Sequence, residues 1–208
     1  MNVIFLDIDG VMNSEIFYRK RHTTLKRRLY IRKNRFIAWF RKNILGKSSI
    51  ISLRKLMDAP VNPKRETFKY QFDRLKRETC SEKWVLLSEF CNENDIKICI
   101  SSVWKTHFML SDENTDCVLD VRWEQALVKL GFNPNTYVGI TGKRKTLRGE
   151  EIQEWLNNHP EVDNYAILDD DSDMLPEQMN NFYKCDGWYG LSPNHLYKIK
   201  RKFNKNKS

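Results

Sequence analysis

Two aspartates, Asp7 and Asp9, stand one residue apart in FLDIDG, at the end of an apolar run and directly before a glycine. A strand end with turn chemistry accounts for one Asp and the Gly, but less well for two carboxylates flanking an isoleucine. A second acidic group, Asp169-Asp170-Asp171-Ser172-Asp173, follows the apolar run YAIL, and Ser101-Ser102 follow ICI. A basic turn, GKRKTLRG, supplies Lys143, Arg144, Lys145 and Arg148. Each has an ordinary reading alone: a strand ending in serines, a loop capping the next helix, a solvated cationic turn. Three consecutive acids beside another acidic pair, however, repel one another unless a cation neutralises them. Carboxylates from two strand ends can bind a hard divalent ion, and Mg2+ prefers oxygen ligands.

These groups act together only if the chain gathers them. Residues 3–6 read as a buried strand, 82–94 as an amphipathic helix and IKICI (96–100) as a second strand. VRWEQALVKLG (121–131) reads as a helix stopped by glycine, and TYVGI (136–140) as a short strand. GEEIQEWLNNH (149–159) is a helix with its acids in the first turn, where the helix dipole favours them. NYAIL (164–168) is another strand, and the final helix opens with Ser192 as N-cap and Pro193 at the first helical position. Strands alternating with helices predict βαβ units, a parallel sheet and helices on both faces. In such a sheet ligands bind beyond the carboxyl ends of the strands, where the acids, hydroxyls and cations all fall.

Composition narrows the class. A chain of 208 residues, 40% hydrophobic and 30% charged, suits a globular protein with one domain and a large insertion, or one domain plus a small module. The apolar run VIFL is too short for a signal-peptide core, and no stretch approaches the ~20 apolar residues of a membrane span. Five cysteines (Cys80, Cys91, Cys99, Cys117, Cys185) form no CxxC pair and read as reduced residues in a cytoplasmic setting. The net charge of +9 is unevenly placed: residues 16–57 carry fourteen Lys and Arg and no acid, and the tail from Lys198 carries six more. The remainder is acidic. The expected organisation is therefore a discontinuous α/β core of residues 1–13 and 82–208, an inserted basic segment at 14–81, and a basic tail at 198–208 within the last helix.

FLDIDGV, ICISS, the basic turn before GEEI, and ILDDDSD, in that order and spacing, resemble the four motifs of the haloacid dehalogenase (HAD) superfamily. The longer words FLDIDGVMNS, ICISSVWK, LRGEEIQEWL and YAILDDDSDML are similar to the HAD domains of the Swiss Army Knife RNA-repair group. The resemblance implies a HAD-type Rossmann-like fold and an Mg2+-dependent phosphatase. It implies Asp7 as the nucleophile that forms an aspartyl-phosphate, and Asp9 as the acid and then the base. Ser101, or Ser102, would donate to a phosphoryl oxygen, and Arg148 would neutralise transition-state charge, with Lys143 and Lys145 as competitors for that role. Mg2+ would be held by Asp7, the Asp9 carbonyl and Asp170, with Asp169 or Asp173 helping directly or through water. An acid at position 9 favours a phosphatase over a dehalogenase.

In HAD enzymes an insertion after the first motif is the cap that chooses the substrate. Here LKRRLYIRKNRFIAWFRKNIL interleaves cations with aromatic residues, and positions 25, 29, 36, 40 and 44 are apolar at near-helical spacing. A helix packing that stripe on the core, with a solvated basic face, is the plain expectation. Cations with aromatics also suit a nucleic-acid strand, with Arg27, Arg28 and Arg32 on phosphates. The expected substrate is a phosphorylated RNA or DNA end or a nucleotide. The alternatives are a small-metabolite phosphatase, or a module that binds nucleic acid or an anionic membrane surface through its basic islands.

Overall fold

The computed structural model describes residues 1–17, 68–107, 121–142 and 147–205. Five parallel strands form one sheet in the order β3-β2-β1-β4-β5: β1 (Asn2–Leu6), β2 (Ile96–Ile100), β3 (Tyr137–Ile140), β4 (Asn164–Asp169) and β5 (Phe182–Lys184). The helices are α1 (Phe68–Glu78), α2 (Ser81–Asn94), α3 (Val121–Lys129), α4 (Arg148–Asn157) and α5 (Pro193–Lys205). Among the described residues no helix is long and apolar enough to cross a membrane.

Side chains alternate across a strand, so each strand here feeds two cores. Ile4, Leu6, Ile98, Ile100, Ala166 and Leu168 join one cluster, which α1, α2, α3 and α5 cover with Leu75, Trp84, Leu87, Trp123, Leu127, Ile199 and Phe203. Val3, Phe5, Cys99 and Ile167 face the other way, onto Ile152 and Trp155 of α4. Phe5 meets Trp155 edge to face at 5.3 Å. Strands apolar on both sides are what a parallel sheet buried between helical layers requires.

The register decides what happens at the edge. Leu6 pairs with Ile100 on one side and with Leu168 on the other. The next residues of the three strands, Asp7, Ser101 and Asp169, therefore arrive side by side. Asp7 N donates to Leu168 O at 2.9 Å and Ser101 N to Leu6 O at 3.0 Å, so the ladder extends into the site before the chains diverge. Continued alternation carries these three side chains toward the face that α4 covers.

Three features depart from the sequence reading. The apolar run of β4 ends at Leu168, but the strand includes Asp169. β5 is three residues long and too short to show a period. Helix α1 lies within the inserted segment: it buries Leu75 and lays Phe68 and Phe72 against the core. The chain then turns through Thr79 and Cys80, where Cys80 N donates to Met12 O at 3.0 Å, so the end of the insertion is packed beside the strand from which it departed. Cys91, Cys99 and Cys185 are buried thiols and Cys80 a half-buried one; Cys117 lies outside the described residues.

Candidate active site

Asp7 and Asp169 are 3% and 1% exposed, and Asp170, at the start of the loop after β4, is half-buried beside them. A carboxylate oxygen from each lies within 4.8 Å of the other two. Gly10 permits this approach. It has a φ of +68°, and a Cβ on it would collide with the Asp170 carboxylate. The glycine after the second Asp of FLDIDG is thus a matter of space as well as of turn geometry.

Arg148, the first residue of α4, faces the same carboxylates. Its Nη1 is 3.5 Å from Asp7 Oδ1 and its Nε is 3.4 Å from Asp169 Oδ2. Burial works against the charged guanidinium, yet Asp7, Asp169, Glu151 and Asp173 together hold its pKa above the ordinary value. One cation does not balance the acids. Burial raises the Asp7 carboxyl to about 6 despite the opposing pull of Arg148 and of a hydrogen bond from Ser102. Burial and then the charge of Asp7 push Asp169 up to about 8. Asp7 Oδ1 and Asp169 Oδ2 are buried and accept no hydrogen bond from the described residues. Two buried, under-satisfied carboxylates and a third within reach form a hard oxygen donor set that fits a divalent cation such as Mg2+.

The other sequence candidates take different places. Asp173 is outside this triplet: its carboxylate accepts from Arg148 N at 3.0 Å, and its carbonyl from Gly149 N at 3.1 Å. It thereby satisfies two of the donors that the start of α4 leaves unpaired, and it orients Arg148. Asp9 is exposed, its Oδ1 accepting from Asn13 Nδ2 at 2.6 Å and its Oδ2 from Trp104 Nε1 at 3.0 Å. Ser101 and Ser102 are fully buried. Ser102 Oγ accepts from Trp104 N at 3.3 Å, whereas Ser101 Oγ has no hydrogen-bond partner among the described residues. Lys143, Lys145, Arg27, Arg28 and Arg32 lie outside the described residues, as does the apolar stripe at positions 25–44.

Sequence reasoning overlooked Asn13, Trp104 and a buried triad. Lys105 Nζ contacts Glu151 at 2.6 Å and donates to Thr141 Oγ1 at 2.9 Å, with Lys105 4% and Glu151 3% exposed. Burial lowers the Lys105 pKa against the pull of Glu151. The triad ties the ends of β2 and β3 to the first turn of α4, next to Arg148. Glu151 was legible as a first-turn acid favoured by the helix dipole. Its lysine partner, 46 residues earlier in the chain, was not.

A parallel sheet with helices on both faces, a paired aspartate at the end of its central strand and a cation opposite fit a HAD-type hydrolase. The profile of the family described as the HAD domain in Swiss Army Knife RNA repair proteins matches residues 3–196, and the chain belongs to that family. No curated protein and no solved structure gives a significant match.

Proposed function

We propose that the chain is an Mg2+-dependent phosphomonoesterase that works through an aspartyl-phosphate on Asp7, with a phosphorylated nucleic-acid end or a nucleotide as substrate. The observation that carries this reading is the placement of Asp7, buried between Arg148 and the Asp169–Asp170 pair, with the exposed carboxylate of Asp9 two residues on.

In the first step an Asp7 oxygen attacks phosphorus and the bond to the ester oxygen breaks. The electron pair leaves with that oxygen, which takes a proton from Asp9. In the second step Asp9 takes a proton from water, which attacks the same phosphorus, and phosphate departs as the Asp7 carboxylate is regenerated. Arg148 lies where it can neutralise phosphoryl charge, and Ser102 or Ser101 can donate to a phosphoryl oxygen. Asp7, Asp169 and Asp170, with the Asp9 carbonyl, would hold the cation. When bound, Mg2+ offsets the repulsion between the nucleophile and the phosphate. Lys143 and Lys145 remain candidates for contacts to the substrate.

Two observations support a substrate bearing bases. The family description names RNA repair. Beside the acids, the turn Asp186–Gly190 brings Gly187 close to Asp170 and presents Trp188 and Tyr189 at 40% and 62% exposure. Tyr189 lines a groove of about 720 Å3 with Ile16, Phe17, Lys76, Glu82 and Lys83, where the two rings suit stacking of bases and Lys76 suits a phosphate contact. In this reading Arg27, Arg28 and Arg32, outside the described residues, are expected to contact phosphates of the same strand. The test is a phosphatase screen over 3′- and 5′-phosphorylated oligonucleotides, nucleotides and sugar phosphates, with and without Mg2+. Preference for an oligonucleotide phosphate, lost on chelation, is the expected result. Preference for a sugar phosphate would replace it with the small-metabolite reading.

A further inference from the structure

We infer that Trp104 is a positioning residue for Asp9, and that Arg74 ties that position to the inserted segment. The inference rests on the acid–base role proposed above for Asp9. An exposed aspartate ordinarily samples several rotamers. Asp9 has an N–H donor on each oxygen instead: Asn13 Nδ2 at 2.6 Å and Trp104 Nε1 at 3.0 Å. Both donors are themselves fixed. Asn13 is buried and accepts from Gly10 N at 2.8 Å; Trp104 is 3% exposed and belongs to the main core cluster.

The indole's own residue is also tied to the loop beside the nucleophile: Trp104 N donates to Ser102 Oγ at 3.3 Å, and Ser102 follows Ser101, whose N donates to the carbonyl of Leu6, the residue before Asp7. Against the indole ring lies the Arg74 guanidinium, 4.7 Å from the ring centroid and itself held by Glu78, with Nε 3.3 Å from its carboxylate. Arg74 belongs to α1, the helix by which the chain returns from the insertion.

Core packing explains a large ring at position 104 but not the direction of its single polar atom, which reaches an exposed carboxylate. Asp9 must stand at one place for two transfers, giving a proton to the leaving oxygen and later taking one from water. Trp104 and Asn13 select that place. A shift of α1 moves Arg74 against the indole, so the seating of the insertion reaches the acid–base group through one ring.

The test compares kcat/KM for p-nitrophenyl phosphate with that for an alkyl phosphate, whose poor leaving group depends on the proton. Trp104→Phe keeps the ring and its stacking but removes the N–H. It is expected to raise the aryl-to-alkyl ratio about tenfold, a fraction of the ~10²–10⁴ available from general acid catalysis. Arg74→Gln should raise the same ratio about threefold, the size of one exposed cation–π contact. Should Trp104→Phe not fold, Arg74→Gln, at a half-exposed position, carries the test alone, and an unaltered ratio in it overturns the inference.

A proportionate fall on both substrates in Trp104→Phe would mean that the ring only packs, and the inference is overturned. An unaltered ratio in Trp104→Phe, alongside a raised one in Asp9→Asn, leaves the acid role standing and removes the positioning. An unaltered ratio in Asp9→Asn itself removes the acid role and the inference with it. A response to Trp104→Phe but none to Arg74→Gln severs the tie to the insertion.

Discussion

Replacing Gly10 by alanine probes the acidic cluster through the backbone that makes room for it. Two costs follow from the geometry. At φ +68° an alanine occupies the left-handed region, at about 1–2 kcal/mol for a residue with a Cβ. The added methyl also claims the space of the Asp170 carboxylate, which must leave its rotamer or rotate away, at a further ~0.5–1.5 kcal/mol. The sum, about 1.5–3.5 kcal/mol, corresponds to a fall in Tm of about 3–14 °C for a domain of this size. Because Asp170 is displaced from Asp7 and Asp169, the rise in Tm expected from Mg2+ in the parent protein should shrink as well. Gly131→Ala is the control: its φ is +97°, but among the described residues the new Cβ would meet only Ser88, at 3.3 Å from Oγ. It should carry a similar backbone cost and leave the Mg2+ response intact. Thermal unfolding of both variants with and without Mg2+ reads all of this. A Gly10→Ala protein with the parent's Tm, or with the parent's full Mg2+ response, would refute the placement of Asp170.

Other outcomes follow from the same geometry. The Asp7 and Asp169 carboxyls lie at about 6 and about 8 in the fold, above their unfolded values, so the folded state holds protons that the unfolded state has released. Metal-free stability should therefore fall as pH rises from about 4 to about 8, and Mg2+ should raise Tm more at pH 8 than at pH 5, which thermal scans across pH will show. Lys105→Met leaves the buried Glu151 charge without its lysine and should cost about 3–5 kcal/mol by denaturant unfolding, most of it recovered when Glu151→Gln is added. Neutralising Arg27, Arg28 and Arg32 together should raise KM for an oligonucleotide phosphate but not for p-nitrophenyl phosphate. It should also flatten the log affinity against log salt slope by about 0.7 for each phosphate that the protein ceases to neutralise.

What the sequence disclosed follows from the physics of parallel sheets. Strand ends gather at one edge, so FLDID, ICISS and YAILDD marked the candidate site by residue order alone. Arg148 was legible for a related reason: a helix start immediately after a basic turn delivers a cation to that edge. Asp173 was not, because a carboxylate that ligates and one that caps a helix look alike in DDDSD. Trp104, Asn13 and the Lys105–Glu151 pair depend on loops folding onto each other, which no periodicity reports. Helix α1 escaped notice because Leu75 is its one fully buried residue, set in a basic stretch with strongly charged neighbours.

The central claim is that phosphate passes through Asp7. Protein mixed with a radiolabelled phosphomonoester and Mg2+, quenched in acid within one turnover and digested, should carry label on the peptide that contains Asp7. Asp7→Asn should carry none and should turn over no substrate while keeping a folded, Arg148-containing site. Label on another peptide, or an Asp7→Asn protein active within about tenfold of its parent, would contradict the account.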